Sequence, residues 1–169
     1  MSKFEIRQTT PQDLDEVMQV YADGREIMIK SGNINQWPQG YPFYSVVEKD
    51  IALGCSYVCV LGDEILAVFF LSEEPEKTYD IIDGAWLDDK PYGVIHRIAR
   101  RKSDKAKGTG EYCLNWCFDK VKNIRIDTHE DNIPMKKLLN KLGYKHCGTI
   151  WIETGAKRMA YQKTEMQRK

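Results

Sequence analysis

The sequence predicts an α/β (α+β) fold in which one mixed central β-sheet carries helices on both faces. Three observations support this prediction. The 169 residues contain no repeat, low-complexity tract or linker, so residues 1–169 form one domain of ordinary size. A β-hairpin pattern lies in the first half, and strand and helix patterns alternate in the second half. Strands that pair both locally and across helices give a mixed sheet with two covered faces.

The first quarter of the chain predicts a strand followed by helices. Residues 3–8 alternate apolar and polar side chains, which is typical of a short strand. Thr10 and Pro11 then begin a helix, because a hydroxyl caps its first turn and proline needs no amide partner there. A second helical stretch runs to about Lys30 and ends at Gly32.

The rest of the chain is punctuated by glycine turns, and Asn132 is a candidate helix cap. The predicted elements follow in order: an aromatic-rich loop at 33–44, a helix at 46–53, hairpin strands at 57–61 and 65–71, a strand at 92–99, a helix after Gly110, a strand at 124–127, a helix from Asn132 to Gly143, and strands at 145–152 and 157–162.

Charge and composition exclude several classes of protein. Twenty-five basic and 25 acidic residues cancel, which argues against nucleic acid or a membrane surface as the partner of the whole protein. The amino end has no apolar signal core, and no apolar run approaches the roughly 20 residues that span a bilayer. Five cysteines without a CxxC pair are expected to be small buried residues, so no metal site is expected. We therefore expect a cytoplasmic protein.

The strongest chemical signal is a strand, a basic loop, a glycine turn and an amphipathic helix in succession. Residues 97–107 contain six cationic side chains against Asp104 alone, and Gly108 and Gly110 follow. Glycines allow the main chain to approach an anion closely, and the free N–H groups and dipole of a helix start favour phosphate. The pattern indicates a site for a phosphate-bearing ligand. A charged surface loop with turn glycines is the alternative.

Two patterns resemble those of the GNAT superfamily of acyl-CoA N-acyltransferases. The segment from Lys105 to Gly110 matches the fingerprint Gln/Arg-x-x-Gly-x-Gly/Ala in both glycines and replaces the first residue with lysine. The segment from Asn132 to Tyr144 matches the spacing of a second pattern, Asn-x-x-Ala-x-x-Leu-Tyr-x-x-x-Gly-Phe. The order of elements over residues 3–162 agrees as well, so the resemblance covers nearly the whole chain.

The resemblance implies acetyl-CoA as cosubstrate and particular roles for the matching residues. Main-chain N–H groups of the fingerprint would hold the pyrophosphate, Asn132 would hydrogen-bond toward the pantetheine end, and the exposed backbone of the preceding strand would pair with the pantetheine arm. The strand residues are Ile98, Ala99 and Arg100, and the fingerprint residues are Lys105, Ala106, Lys107, Gly108, Thr109 and Gly110. From charge alone, Lys102 or Arg101 is a candidate for the 3′-phosphate.

One departure from the family pattern affects the chemistry. The family often has a tyrosine where this chain has Leu139, and that tyrosine commonly protonates the departing thiolate. Leucine has no proton to donate. Another group, water, or an unassisted departure of the thiolate, whose pKa is about 8.5, remains open.

Amide formation needs a neutral amine, so a group that accepts a proton is required. His96 is the first candidate, because it lies just before the pantetheine-pairing segment and imidazole titrates near neutrality. A structural role for His96 is the alternative. His129 and Glu130 follow the next strand at its carboxyl end, where ligands gather in such sheets. Glu130 is alternatively an ordinary charge at the helix entry.

The aromatic loop at 33–44 is the candidate substrate lid, with Trp37 and Tyr41 as lining residues. Aromatic faces hold a cationic amine with about 0.5–2 kcal/mol each, although packing of the loop is the alternative.

The enzyme prediction is acetyl transfer to a primary amine of a small molecule or protein. A catalytically weak CoA-binding regulatory module is the second class, and nucleic-acid binding through residues 97–107 is disfavoured by the neutral total charge. Exposed edge strands leave a homodimer open.

Overall fold

The computed structural model describes residues 3–165, which fold into one eight-stranded sheet with helices on both faces. The predicted fold class is confirmed. The strands, in chain order, are β1 Glu5–Gln8, β2 Ser56–Leu61, β3 Glu64–Ser72, β4 Asp83–Gly84, β5 Gly93–Arg100, β6 Asn123–Thr128, β7 Lys145–Trp151 and β8 Lys157–Thr164. The helices are α1 Leu14–Lys30, α2 Tyr44–Ala52, α3 Thr109–Val121 and α4 Ile133–Lys141.

The strand order is β1-β2-β3-β5-β6-β8-β7-β4. Within the described residues, β5 and β6 are the parallel pair, and the neighbouring strands elsewhere run antiparallel. A parallel pair needs a crossover connection, and α3 supplies it. This pair lies in the middle of the sheet, so any opening between its strands is flanked by covered sheet on both sides.

Alternate residues of β2 and β3 enter two separate cores. Cys59 and Ala67 pack with the buried side chains of α3, whereas Val58 and Val68 pack with those of α1. The period-2 geometry of a strand sends successive side chains to opposite faces, which produces this division. Cys59 and both α3 cysteines are fully buried free thiols, as expected from the sequence, whereas Cys55 and Cys147 are only partly buried.

Two features differ from the sequence prediction. The two helical stretches at 10–30 form one continuous helix, α1, after a short turn at Pro11–Asp13. Gly24 lies inside it because α1 packs closely on β5, where a Cβ at this position would lie 2.6 Å from that of Ala99. The polar stretch before residue 92 contains the short strand β4, whose Gly84 backbone approaches Gly148 of β7 too closely for a side chain.

Candidate active site

The strands β5 and β6 separate after two paired positions. Gly93 pairs with Ile124 and Val94 with Arg125, and no pairing continues beyond them in the described chain. On its other edge, β5 stays paired to β3 as far as Arg100. The separation leaves an open cleft whose β5 wall carries unpaired backbone groups from residue 95 onward.

A β-bulge reshapes β5 at this cleft. Phe70 pairs with His96 and Val68 with Ala99, so two β5 residues, Arg97 and Ile98, oppose the single Phe69. Arg97 takes a positive φ of 49°, which is uncommon for a residue with a side chain. The extra residue turns the His96 and Arg97 side chains toward the same side of the sheet, where both line one cavity.

That cavity has a volume of about 580 Å³ and extends from the cleft to the aromatic loop and the β7–β8 connection. Five residues singled out from the sequence line it: Trp37, Tyr41, His96, Ile98 and Asn132. Its wall also contains four carboxylates and three cationic side chains, namely Asp50, Glu76, Asp127 and Glu153, and Lys49, Arg97 and Arg158. The cavity is therefore both aromatic and polar.

His96 is held by Glu76. Its Nε2 lies 2.6 Å from Glu76 Oε1, and its ring packs against Phe70 at a centroid distance of 5.6 Å. Because an ionised carboxylate only accepts hydrogen bonds, Nε2 carries a proton, and in the neutral imidazole Nδ1 keeps the lone pair. The hydrogen bond from His96 lowers the pKa of the Glu76 carboxyl, against the opposing effect of burial. Glu76 was not singled out from the sequence.

A second pair joins β5 to α2 and to the aromatic loop. Arg97 donates from Nε and Nη2 to the two carboxylate oxygens of Asp50, both at 2.8 Å, and from Nη1 to Tyr41 Oη at 3.2 Å. We call these three residues the Arg97 clamp. Burial lowers the pKa of the Arg97 guanidinium, but the hydrogen bonds and charge of Asp50, with Tyr41, outweigh it and raise that pKa. The guanidinium stays charged.

Asp127 lies on β6 at the level of His96 on β5. It accepts a hydrogen bond of 2.6 Å from the Tyr79 hydroxyl, and Arg158 Nε lies 4.0 Å from its other oxygen. Burial, together with the Asp127 charge, raises the pKa of Tyr79 well above its usual value. The phenol therefore stays protonated and donates to the carboxylate.

Gln36 fixes the aromatic loop over the end of β6. Its side-chain oxygen accepts from Asn33 Nδ2, Thr128 Oγ1, the His129 amide and Asn132 Nδ2, at 2.9–3.4 Å. Its backbone oxygen accepts from the buried Arg158 at 2.8 Å. Gln36 was not predicted from the sequence, because nothing in its local pattern reports contacts about ninety residues away.

Asn132 has the helix-capping role expected of it. Its Oδ1 accepts from the Met135 amide at 3.3 Å, and its Nδ2 donates to Gln36 at 3.1 Å. It also lines the cavity. The contact with pantetheine that the resemblance implies remains a prediction, and one hydrogen of the amide is already used by Gln36.

The fingerprint segment forms a tight turn that opens α3. Gly108 has a φ of 85° and stands at the cap position, where it offers no capping side chain. The first N–H groups of a helix lack acceptors within the helix, so those of the partly exposed Gly110 and Glu111 are available to an outside acceptor. Thr109 is buried and donates its hydroxyl to the Ala106 carbonyl at 2.6 Å, which locks the turn. This is the geometry of an anion site.

The cations around this turn are less available than their run in the sequence indicates. We call residues 100–107 the cation loop. Residues distant in sequence neutralise several of its side chains: Lys102 pairs with Glu26 at 2.7 Å, Lys105 with Glu64 at 3.2 Å, and Arg101 with Glu16 at 3.6 Å. Lys107 pairs with Asp104 at 3.4 Å. In the folded protein the cation loop is therefore less basic than the count of six cations against Asp104 alone predicts.

The β5 segment that leads to this loop is held by contacts with α1 and β3. Ala99 is buried against α1 and pairs with Val68, and Arg100 pairs with Ala67. Their edge toward β6 remains open, because pairing with β6 ends at Val94. The backbone of residues 98–100 is thus placed to accept an extended ligand as an added strand.

His129 and Glu130 lie outside the cavity wall. His129 Nδ1 accepts from the Asp131 amide at 3.0 Å and lies 3.6 Å from the Asp131 carboxylate, which makes it part of the turn into α4. Glu130 is exposed, and its backbone oxygen accepts from Lys136. The sequence brings both to the carboxyl end of β6, but the structure gives them no contact with the cavity.

Leu139 is fully buried in the core formed with α3 and does not line the cavity. Tyr144, which stands at the final Phe position of the second pattern, is also buried there, and burial raises the pKa of its phenol. Neither reaches the cleft.

Two kinds of feature are absent from residues 3–165. No helix there is both long enough and apolar enough to cross a membrane. No group of three or more His, Cys, Asp or Glu side chains in this range is placed to hold a metal ion.

Comparison with solved structures identifies the family. A GNAT-family acetyltransferase from Streptococcus agalactiae is 32% identical, with a TM-score of 0.86 over 96% of this chain and 95% of that one. A GNAT-family acetyltransferase from Listeria monocytogenes is 20% identical, with a TM-score of 0.70 over 95% and 94%. AAC(6')-Ib in complex with ribostamycin and coenzyme A is 16% identical, with a TM-score of 0.67 over 98% and 96%.

No protein-family model and no curated protein matches the chain. The two matches at 20% and 16% identity show the shared fold alone. The Streptococcus match extends over almost all of both chains at an identity that accompanies common descent. On this evidence, the chain belongs to the GNAT family of acetyltransferases.

Proposed function

We propose that the protein transfers the acetyl group of acetyl-CoA to a primary amine, by direct attack of the amine within a ternary complex. One observation supports the proposal: the β5 edge that is open toward β6 runs from the cavity that contains His96 and Glu76 to the loop that precedes α3. We assign the proton acceptor and the phosphate site to the two ends of this edge.

The cosubstrate would be held mainly by backbone groups. In the sequence, the N–H groups of residues 105–110 are the candidates for the pyrophosphate, but those of Lys105, Ala106 and Lys107 already donate to Ser103 and Asp104. The pyrophosphate is therefore assigned to the N–H groups around Gly108 and Gly110, and the amides of the pantetheine arm to the open backbone edge of residues 98–100. Several nearby lysines already have carboxylate partners, so main-chain donors supply most of the specific contacts. Asn132 is assigned to the end of the arm, where it also secures the aromatic loop through Gln36.

His96 is assigned as the base that removes a proton from the acceptor ammonium. Its Nδ1 has the lone pair, since Nε2 is bound to Glu76. Glu76 stabilises the imidazolium that forms when the proton arrives, as a carboxylate does behind a catalytic histidine. This pairing supports the catalytic interpretation of His96 over a structural one.

The acceptor is assigned to the aromatic and acidic part of the cavity. Trp37 and Tyr41 form one side, with ring centroids 5.8 Å apart. Asp127 and Glu153 add negative charge to the wall. Rings and carboxylates together favour an ammonium group. AAC(6')-Ib, which shares the fold at 16% identity, is solved in complex with ribostamycin and coenzyme A.

A thiol-release assay tests the proposal. Purified protein is given acetyl-CoA with each member of an amine panel: a diamine, spermidine, an amino acid, a lysine-containing peptide and an aminoglycoside. We expect amine-dependent release of free CoA thiol and an acetylated product by mass spectrometry. CoA binding without thiol release from any amine would instead support the regulatory module.

A homodimer, proposed from the exposed sheet edges, is tested by light scattering on the same sample.

A further inference from the structure

We infer that Tyr41 is the catalytic acid that protonates the sulfur of departing CoA. The inference rests on the proposed function and adds to it a residue for the step that position 139 cannot perform. The aromatic loop thus supplies a reacting group as well as a wall.

The length of the pantetheine arm predicts where the sulfur of CoA lies. The pantetheine arm is about as long as five residues of extended chain, roughly 16 Å at 3.3 Å per residue. Five residues back along β5 from Lys102, where the chain turns toward α3, is Arg97. The thioester therefore reaches the bulge at Arg97, and Arg97 Nη1 contacts Tyr41 Oη.

The contacts of the Tyr41 ring, backbone and hydroxyl also support this role. Its ring packs edge-on against Trp37 and Phe43, and Arg25 donates to its backbone oxygen at 2.9 Å. Its hydroxyl oxygen accepts from Arg97, while no acceptor for its O–H is found within residues 3–165. A hydroxyl that accepts a hydrogen bond from a cation is polarised toward donating its own proton.

The other hydroxyl groups in and beside the cavity are poorer proton donors than Tyr41. Thr128 already donates to Gln36, and threonine hydroxyls are far weaker acids than phenols. The Tyr79 phenol is buried and bound to Asp127. His96 is assigned to the amine as base. Tyr41 is the remaining phenol on the cavity wall.

The step balances as follows. The ammonium loses one proton to His96 Nδ1, and the neutral amine nitrogen forms a bond to the thioester carbonyl carbon. As the carbon–sulfur bond breaks, the sulfur keeps the electron pair and takes the Tyr41 proton, and the nitrogen releases its second proton to water. Tyr41 regains a proton from water, and His96 passes its own to water. One proton is released overall.

The test compares Tyr41→Phe with Tyr44→Phe, an equivalent change at an exposed tyrosine that does not line the cavity. The first measurement needs no acceptor: the pKa of the thiol of bound CoA, from thiolate absorbance against pH. We expect Tyr41→Phe to bind CoA with wild-type affinity and to raise that pKa, because a donor to the thiolate is lost. Tyr44→Phe is expected to match wild type.

The second measurement uses acetyl-CoA and the best amine of the panel. We expect Tyr41→Phe to lower kcat by about 10²-fold with an unchanged KM for acetyl-CoA, the range of a lost general acid. A thiol pKa and kcat equal to wild type overturn the inference while leaving the proposed function intact. A wild-type protein that fails to bind CoA overturns both.

Discussion

The two ends of the open β5 edge concentrate charged side chains in different surroundings. At the cavity end, Arg97 and Asp50 are only 16% and 5% exposed and share two hydrogen bonds. In the cation loop, Lys105 and Glu64 are 62% and 44% exposed at 3.2 Å. Water screens the second pair but not the first. Charge at the cavity end therefore positions groups, whereas in the loop the backbone provides the specific contacts.

The largest expected effect would come from blocking the backbone at the loop end. Valine at both Gly108 and Gly110 is expected to remove measurable CoA binding in calorimetry, because side chains would occupy the phosphate position. The fold is expected to survive with some loss of stability: the φ of 85° at Gly108 strains any side chain, although a Cβ there meets no atom within 4 Å and one at Gly110 meets Leu138 at 3.5 Å.

Gly32→Val is the matched control for backbone strain. Gly32 has a φ of 91°, close to that of Gly108, and similarly open surroundings. Gly32→Val is expected to lower the free energy of unfolding by a similar amount and to leave CoA binding unchanged. Retained CoA affinity in the double variant would refute the assignment of the phosphate site.

The next effect concerns the base at the cavity end. His96→Ala is expected to slow acetylation by about 10²- to 10⁴-fold and to flatten the pH–rate profile near neutrality. In the wild type, the rate falls as pH drops because a protonated imidazole has no lone pair to accept a proton. An unchanged profile would remove His96 as base. Glu76→Gln, which keeps a hydrogen-bond acceptor but loses the charge, is expected to give a smaller loss.

A stability measurement sharpens the comparison of the two ion pairs. Asp50→Ala is expected to lower the free energy of unfolding by about 3–5 kcal/mol in urea titration, because it leaves the Arg97 guanidinium buried without a counter-charge. Glu64→Ala breaks the exposed pair with Lys105 and is expected to cost less than about 1 kcal/mol. Equal losses in the two variants would contradict the proposed difference in surroundings.

The smallest effect is expected from a single cation of the loop. Lys105→Ala is expected to weaken CoA binding by less than tenfold, since its ammonium is shared with Glu64 and screened by solvent. The measurement is CoA affinity at two salt concentrations. A loss comparable to that of the glycine double variant would mean that side-chain charge, rather than the backbone, holds the pyrophosphate.

Local patterns predicted most of the elements correctly. The hairpin of β2 and β3, the glycine start of α3 and the Asn132 cap of α4 each depend on a few neighbouring residues, whose backbone preferences act wherever they occur. The prediction of two helical stretches at 10–30 was wrong, because one helix, α1, runs from Leu14 to Lys30 through Gly24. In the folded protein that glycine permits close packing of α1 on β5.

The site was predicted less completely, because its important contacts join distant segments. Glu76 is 20 residues from His96, Asp50 is 47 from Arg97, and Gln36 is 96 from Asn132. A single sequence carries no signal for which carboxylate meets which cation. For the same reason, the cation loop was read as strongly basic when Glu16, Glu26 and Glu64 in fact approach it.

The sequence by itself determined the order of elements, the glycine turn before α3 and the residue types available for chemistry, since these follow from short-range sterics and hydrogen bonding. Tertiary structure decided the separation of β5 from β6, the bulge that brings His96 and Arg97 into one cavity, and the partner of each charged group. Those features depend on which surfaces pack together and on how deeply each charge is removed from water, and both are properties of the folded chain as a whole.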